Sequence, residues 1–282
     1  MRRWIISIIF TFAMSGLVAA EAPPARVVSA NLCTDQLLMT LADPDQIASL
    51  SPYARDPEMS HLASQAGAFP QNRGSGEDLI QLRADLVLVG PFDSRYTKAL
   101  LDKRGMRFES FAPWSNLEQG RTQIRFLAKL LGHPDRGERL IERIDRARQE
   151  LEGVALTGGR KPRALVLHRR GYVLHAGVTG ELLEHAGFEN AAAQLGLASG
   201  GFVSLETILQ SKPDFMIVSG LIGTPEDQGQ AFLEHPALKR LYPEARRLVL
   251  PDRLTLCGGL STLDLIRQLA SEIRQKVTSE SN

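Results

Sequence analysis

The stretch EDLIQLRADLVLVG at residues 77–90 recurs as ETILQSKPDFMIVS at residues 206–219. The offset is constant, because Glu, Gln, a basic residue and Asp fall at matching places in both copies. Each copy predicts a short helix, a turn and a strand that is apolar on both faces. A repeat at this spacing favours two similar lobes, although a chance likeness of two ordinary helix-to-strand units stays open as the alternative.

The size and composition of the chain agree with two globular lobes. The chain has 282 residues, of which 43% are hydrophobic and 23% are charged. These values are typical of a soluble protein longer than one small domain. The formal net charge of +1 argues against nucleic acid or an anionic membrane surface as the partner.

The start of the chain has the pattern of a secretory signal peptide. Two arginines precede an apolar run from Trp4 to Val18, and small residues follow up to Ala20. We therefore expect residues 1–20 to be removed near Ala20 and the mature chain to be exported. An uncleaved membrane anchor is the alternative, but the run is shorter than the ~20 residues that a bilayer span needs. No Cys stands at the cleavage point, so we expect no lipid anchor.

Predicted strands alternate with helices in both halves, which indicates an α/β fold with mostly parallel sheets. Only the middle of the chain is helical throughout. We therefore expect an N-terminal lobe at 21–113, a helical connection at 114–155 and a C-terminal lobe at 156–282. The predicted fold is two Rossmann-like lobes joined by a single long helical crossover. Ligands of such sheets bind at the carboxyl ends of the strands, so a cleft between the lobes is the expected site.

Three local predictions concern the surroundings of this cleft. Thr34 or Asp35 is expected to cap a helix over 36–41, because either side chain can accept a backbone hydrogen bond. The polar stretch over 51–75 is expected to be irregular, and loops of that length are usually functional. A single helix is expected over 231–241.

In its order of elements, signal peptide, helical crossover and Glu-bearing repeats, the mature chain resembles the helical-hinge (class III) periplasmic substrate-binding proteins. These are the binding components of ABC importers for cobalamin, ferric siderophores and haem. The resemblance implies a periplasmic monomer that passes its ligand to an inner-membrane permease with its ATPase. It also implies a small rotation between the lobes rather than a wide hinge motion.

The resemblance further implies a role for one glutamate of each lobe. In this family a surface Glu of each lobe docks onto Arg residues of the permease, and the matching positions here are Glu77 and Glu206. A pair of carboxylates suits a partner that carries matched guanidinium groups. The alternative is that each Glu only stabilises the first turn of its helix, and both roles can hold together.

The candidate ligand-binding residues lie in loops expected at the carboxyl ends of strands. Arginines would then stand on both sides of the cleft, which suits an anionic ligand such as a ferric siderophore or a corrinoid with polar side groups. Trp114 is the only Trp beyond the signal peptide, so a Trp-lined site is doubtful. The candidates are Asn31, Thr34, Asp35, Tyr53, Arg55 and Arg73 in the first lobe, and His168, Arg169, Arg170, Tyr172 and Arg253 in the second.

No metal site and no cofactor is expected. None of the six histidines shows the spacing of a zinc site. His168, Tyr172 or His175 could supply an axial ligand to haem iron. A haem-binding protein of the same class is therefore the alternative assignment of the ligand.

Cys33 and Cys257 are the only two cysteines, and both lie in loops expected to point toward the cleft. A disulfide between them would tie the lobes together if their Cα atoms lie within about 7 Å. Two buried thiols, or a thiol pair on a soft metal, are the alternatives.

An exported α/β enzyme is the alternative from a different class. A Gly-x-Ser-x-Gly elbow, a Gly-x-x-x-x-Gly-Lys-Ser/Thr loop and a Gly-x-Gly-x-x-Gly fingerprint are all absent from the sequence. We therefore predict no catalytic residue and no enzymatic activity.

Overall fold

Four parallel strands form the sheet of the N-terminal half. The computed structural model describes residues 22–91, 93, 95–156, 159–197, 200–220 and 228–277, so the predicted signal peptide lies outside the described residues. The strands are β1 (Val27–Ser29), β2 (Ile47–Ser49), β3 (Leu86–Val89) and β4 (Phe108–Ser110), in the spatial order β2-β1-β3-β4. The helices of this half are α1 (Leu32–Leu41), α2 (Ala63–Ala66), α3 (Gly76–Gln81) and α4 (Arg95–Lys103).

The sheet of the C-terminal half is mixed. Its strands are β5 (Arg163–His168), β6 (Tyr172–Leu174), β7 (Glu189–Asn190), β8 (Gly200–Phe202), β9 (Phe215–Gly220) and β10 (Arg247–Pro251). The spatial order is β10-β9-β5-β6-β8, with β7 beside the start of β5, and β6 runs antiparallel to both β5 and β8. The helices are α7 (Val178–His185), α8 (Leu205–Ser211), α9 (Gln228–Leu233), α10 (Pro236–Leu241), α11 (Asp252–Thr255) and α12 (Leu260–Glu272). The prediction of two α/β lobes is confirmed.

Two helices, α5 (Leu117–Leu130) and α6 (Pro134–Glu152), connect the sheets, as the helical pattern predicts. They fold back on each other. Arg121 pairs with Asp145, and Arg125 Nε lies 2.8 Å from Glu138 Oε1. The two helices are therefore antiparallel. The lobe boundaries at 114 and 155 stay predictions.

A continuous apolar core joins the two halves. One cluster of buried side chains includes Val27 and Leu37 of the first half, Ile124 of α5, and Ile217 and Leu250 of the second. A further link is the 2.9 Å contact between His61 Nε2 and Asp264 Oδ2 on α12. The close packing inside each half therefore continues through the crossover into the other half.

Two local predictions were wrong. The cap of α1 is Asn31, whose Oδ1 accepts a hydrogen bond from the Cys33 N–H at 2.9 Å, so Thr34 and Asp35 lie inside the helix. The helix expected over 231–241 is split into α9 and α10 at Pro236, since Pro fits the first turn of a helix but not its interior. Within the described residues no helix has both the length and the apolar character of a membrane span.

Candidate functional site

The repeated segments have equivalent structures down to single hydrogen bonds. Ser75 caps α3 by accepting from the Asp78 N–H, and Ser204 caps α8 by accepting from the Thr207 N–H, each at 3.2 Å. The second residue of each helix is the candidate docking glutamate.

The turn after each helix is also equivalent. Arg83 and Lys212 both have a positive φ, of 48° and 42°, so both helices end in a left-handed residue. Asp85 then accepts from the Arg26 N–H at 2.8 Å, and Asp214 accepts from the Arg163 N–H at 2.7 Å. Each Asp thereby fixes its strand against the first strand of its own lobe, which explains the Asp shared by the two copies.

Glu77 and Glu206 are both exposed, in the first turns of α3 and α8. Helix α3 follows a segment that bridges β2 just beyond its carboxyl end, and α8 follows β8 directly. Both helices therefore begin on the side of the sheets where the strands end. A hydrogen bond from its own backbone N–H, with the Ser204 hydroxyl, lowers the pKa of Glu206 below its usual value.

A cavity of about 460 Å³ lies between the lobes. The first lobe contributes the start of α1 with Cys33 and the segment after β4 with Phe111. The second lobe contributes Tyr172, the start of α7, and the segment from Leu254 that follows β10. Three of these segments leave the carboxyl ends of strands, the usual location of ligands in such sheets.

Three consecutive residues of the second lobe, Cys257, Gly258 and Gly259, form a seam of contacts with α1 and the crossover beside this cavity. A disulfide joins Cys257 to Cys33, with an S–S distance of 2.08 Å and a Cα–Cα distance of 5.0 Å. Gly258 packs against the indole of Trp114. A Cβ at Gly259 would approach Leu37 Cδ2 to 3.0 Å. The seam thus touches α1 and the crossover at three successive positions.

Trp114 is held between the seam at Gly258 and the crossover at Gly120. A Cβ at Gly258 would come within 2.2 Å of its Cδ2 atom, and a Cβ at Gly120 would come within 2.4 Å of its Cε3 atom. Only glycine permits an approach this close at both positions. The indole N–H donates to Gln123 Oε1 at 3.2 Å, which fixes the orientation of the ring.

Three of the predicted ligand-binding residues of the first lobe hold internal contacts instead. Asn31 caps α1, and the Thr34 hydroxyl is hydrogen-bonded to the Ser29 hydroxyl at 2.7 Å. Asp35 accepts from both the backbone N–H and the hydroxyl of Ser51, at 2.9 and 2.5 Å. Thr34 and Asp35 are fully buried, and none of the three is among the described residues that line the cavity. We leave them out of the proposed site.

The burial of Asp35 has a large electrostatic effect. Loss of water around the carboxylate raises its pKa from the ordinary 3.8 to about 6, despite the opposing hydrogen bonds from Ser29 and Ser51. Repulsion from Asp93 adds to the rise.

The other predicted residues of the first lobe are on the surface. Tyr53 is 53% exposed, and Arg55 and Arg73 are exposed as well. The Arg55 guanidinium donates to the Phe69 carbonyl at 2.6 Å. None of these three is among the described lining residues, so the arginines expected on this side lie outside the cavity.

Of the predicted residues in the second lobe, the structure brings only Tyr172 into the wall of the cavity. The Tyr172 ring packs edge-on against His168 and Phe202, with centroid distances of 6.2 and 5.2 Å. Arg170 and Arg253 are exposed, and Arg169 is partly buried beyond the described lining. The three arginines are therefore not part of the described wall of the cavity.

The histidines do not assemble a metal site in the part of the chain that the structure describes. His175 Nδ1 is hydrogen-bonded to the Leu197 carbonyl, and His168 Nδ1 lies 3.8 Å from Asp252 Oδ1. Among the described residues no group of three or more His, Cys, Asp or Glu converges as metal ligands.

Most of the apolar residues that line the cavity are not among the candidates predicted from the sequence. Phe111 and Trp114 follow β4, and Leu254 and Leu256 follow β10. The rule that ligands bind at the carboxyl ends of strands also applies to these loops, but a search for polar residues passes over them. Trp114 is part of the lining, although a single Trp made a Trp-lined site doubtful.

Comparisons with known proteins agree with this architecture. A family model described as "Periplasmic binding protein" matches residues 27–245. None of the curated proteins compared with the chain matches it. A periplasmic binding protein of Veillonella parvula superposes with a TM-score of 0.74 at 18% identity, covering 90% of this chain and 92% of that one.

Two further similar structures are those of a haem-binding protein and a siderophore-binding protein. The apo form of a periplasmic haem-binding protein from Roseiflexus has a TM-score of 0.66 at 23% identity, covering 88% of this chain and 98% of that one. A siderophore-binding protein holding ferric iron with two molecules of acinetobactin has a TM-score of 0.68 at 16% identity, covering 89% and 93%. At these identities the likeness shows a shared fold.

Proposed function

The chain belongs to the periplasmic binding protein family, and from this we propose that it is the solute-binding component of an ABC importer. It captures a ferric siderophore or a corrinoid between its lobes and delivers it, as a monomer, to an inner-membrane permease with its ATPase. The observation that carries the proposal is the cavity of about 460 Å³ where strand-end loops of both lobes meet. That volume falls in the range of small-molecule sites.

The ligand class is tested by asking what the protein carries. Protein purified from its own periplasm is analysed by native mass spectrometry and absorbance, and then titrated with ferric siderophores, cyanocobalamin and haemin. We expect one of these chromophores to bind at micromolar concentration or below. A protein that is isolated empty and responds to none of them would exclude the whole ligand class.

We propose that Glu77 and Glu206 form the contact with the permease. Both are exposed, both occupy the second position of a Ser-capped helix, and both stand on the side where the strands end. One carboxylate on each lobe allows charge-assisted hydrogen bonds to two separate guanidinium groups, so the pair also reads the spacing of the lobes.

Charge reversal tests this contact. Glu77→Lys and Glu206→Lys are expected to abolish ligand uptake by intact cells while ligand binding in solution stays at the level of the wild type. Glu142→Lys, at an exposed position on α6, is the matched control and should leave uptake unchanged. Normal uptake by both docking variants would show that the permease contacts another surface.

Haem is the second candidate ligand, and one observation favours it. Tyr172 is among the residues that line the cavity, and a phenolate oxygen can serve as an axial ligand of haem iron. Tyr172→Phe should then change the visible spectrum of the haemin complex and weaken binding. An unchanged spectrum would remove Tyr172 as the ligand of the iron.

The location and the absence of catalysis complete the proposal. The family consists of binding proteins, and we propose that this member performs no reaction on its ligand. We propose further that residues 1–20 direct export to the periplasm and are then removed. N-terminal sequencing of the periplasmic protein should begin at Glu21, and a sequence that begins at Met1 would refute the cleavage.

A further inference from the structure

The cavity between the lobes is lined by neutral groups. Its wall combines the rings of Phe111 and Trp114 with Leu254, Leu256 and the disulfide. Within the described part of the chain, none of the lining residues is Asp, Glu, Lys, Arg or His. The arginines that suggested an anionic ligand lie outside this wall.

Several polar atoms of the wall already have partners inside the protein. Gln123 accepts from the Trp114 N–H and donates to the Ala112 carbonyl at 2.9 Å. The Thr255 hydroxyl lies 2.9 Å from the Ser219 hydroxyl. These hydrogen bonds hold the wall together and use part of its capacity to bind a ligand group.

A charge that enters such a cavity loses its water and finds no charged side chain in the described wall. This desolvation costs several kcal/mol per ion even after relaxation. We propose that the part of the ligand inserted between the lobes is uncharged and mainly apolar, and that Trp114 sets the depth available to it. This inference rests on the proposed function in that it concerns the ligand of the same site. It assigns any anionic part of the ligand to the mouth of the cavity.

The glycines around Trp114 make it a specificity-determining residue. The ring is held against Gly120 of the crossover and Gly258 of the second lobe, so a methyl group at Gly258 must displace it. Gly258 has no left-handed backbone, since it is not among the residues of positive φ, and Ala is compatible with its conformation. The effect of Gly258→Ala therefore acts through the ring and through the space beside it.

A matched pair of probes tests the neutrality of the site without the natural ligand. N-phenyl-1-naphthylamine is uncharged, and 8-anilino-1-naphthalenesulfonate has the same ring system with one sulfonate. Both become fluorescent in apolar sites. The sulfonate stands beside the anilino group, in the middle of the ring system, so it cannot stay at the mouth while the rings enter. We therefore expect the uncharged probe to bind at least about tenfold more tightly, because the sulfonate would be buried without a partner. Equal or tighter binding of the sulfonate would overturn the proposal.

A set of substitutions then places the probe against Trp114. Gly258→Ala should weaken the uncharged probe about five- to tenfold, a loss of the size expected when a ring is forced into a packed site. Gly67→Ala is the matched control, because a Cβ there meets no atom within 4 Å. Gly258→Ala combined with Trp114→Phe should recover most of the affinity, since the smaller ring leaves room for the methyl group.

The outcomes separate this inference from the proposed function. The probes are unrelated to iron chelates, so a failed ligand titration refutes the proposed function and leaves the probe experiment to decide the neutrality of the site. If a ferric chelate binds but the sulfonate probe binds as well as the neutral one, the uncharged site is refuted alone. If Gly258→Ala folds with an unchanged melting temperature and binds the neutral probe like the wild type, Trp114 does not set the depth.

Discussion

Asp35 offers the sharpest test of the electrostatics of the first lobe. Its carboxyl is fully buried beside Ser51, and burial raises its pKa from 3.8 to about 6. Below pH 3.8 the carboxyl is protonated in the folded and the unfolded chain. As the pH rises toward 6, only the unfolded chain ionises, so stability is lost through this interval and the loss is complete above it.

The separation of the two pKa values corresponds to about 3 kcal/mol of unfolding free energy. Asp35→Asn removes the ionisation but keeps an oxygen to accept the Ser51 N–H hydrogen bond and an amide that can donate to the Ser51 hydroxyl. Relative to the wild type, the variant should therefore gain up to about 3 kcal/mol in unfolding free energy between about pH 4 and pH 8.

The assay is urea unfolding of both proteins at several values between about pH 4 and pH 8, with the slope of each transition compared. Asp45→Asn is the control, because Asp45 is an exposed residue in the turn before β2. A difference between variant and wild type that does not change with pH would show that the buried carboxyl does not titrate in this range, and would refute the reasoning.

Three further predictions concern the framework. Replacing Cys33 and Cys257 by Ser should lower the unfolding free energy by about 5 kcal/mol, because the disulfide closes a very long loop and restricts the unfolded chain. Urea unfolding measures the effect, and the reduced wild type should unfold at the same urea concentration as the variant. A variant with the same midpoint as the oxidised wild type would contradict this account. A Cβ at Gly137 would come within 2.7 Å of Ala128 Cβ, so Gly137→Ala should lower the unfolding free energy by about 1–3 kcal/mol in thermal unfolding. Adding Ala128→Gly should restore most of this stability. No loss in the single variant would mean that the helices separate without strain. Ser204→Ala removes the cap of α8 and should cost about 1 kcal/mol by the same measurement, whereas no loss would mean that water replaces the hydroxyl.

The repeat is readable from the sequence because its signals are local. The apolar run in each copy predicts a buried strand, and β3 and β9 are fully buried. The Asp of each copy has a structural reason that the sequence does not state, namely the hydrogen bond to the first strand of its lobe. The exposure of Glu77 and Glu206 also follows from their position in the first turn of a short capped helix.

The cavity cannot be read in the same way, because its wall comes from segments far apart in the chain. Trp114 gains its position from two glycines, Gly120 on the crossover and Gly258 in the second lobe. Sequence reasoning predicts Asp35 in a loop at the cleft, but Asn31 caps the helix four residues earlier. Asp35 therefore lies inside α1, where its carboxyl is buried. Pattern and propensity identify which residues are polar, whereas only packing decides which polar groups reach a ligand.

The bond between Cys33 and Cys257 changes the covalent topology of the protein. It closes a ring that contains the crossover and nearly all of both sheets, with a sequence separation of 224 residues. A single backbone cut anywhere inside that ring leaves every fragment attached. A protease that nicks the chain once between the lobes would therefore yield a protein that migrates as one species until a reductant is added, and its two halves would stay at a fixed local concentration, ready to re-form the shared core.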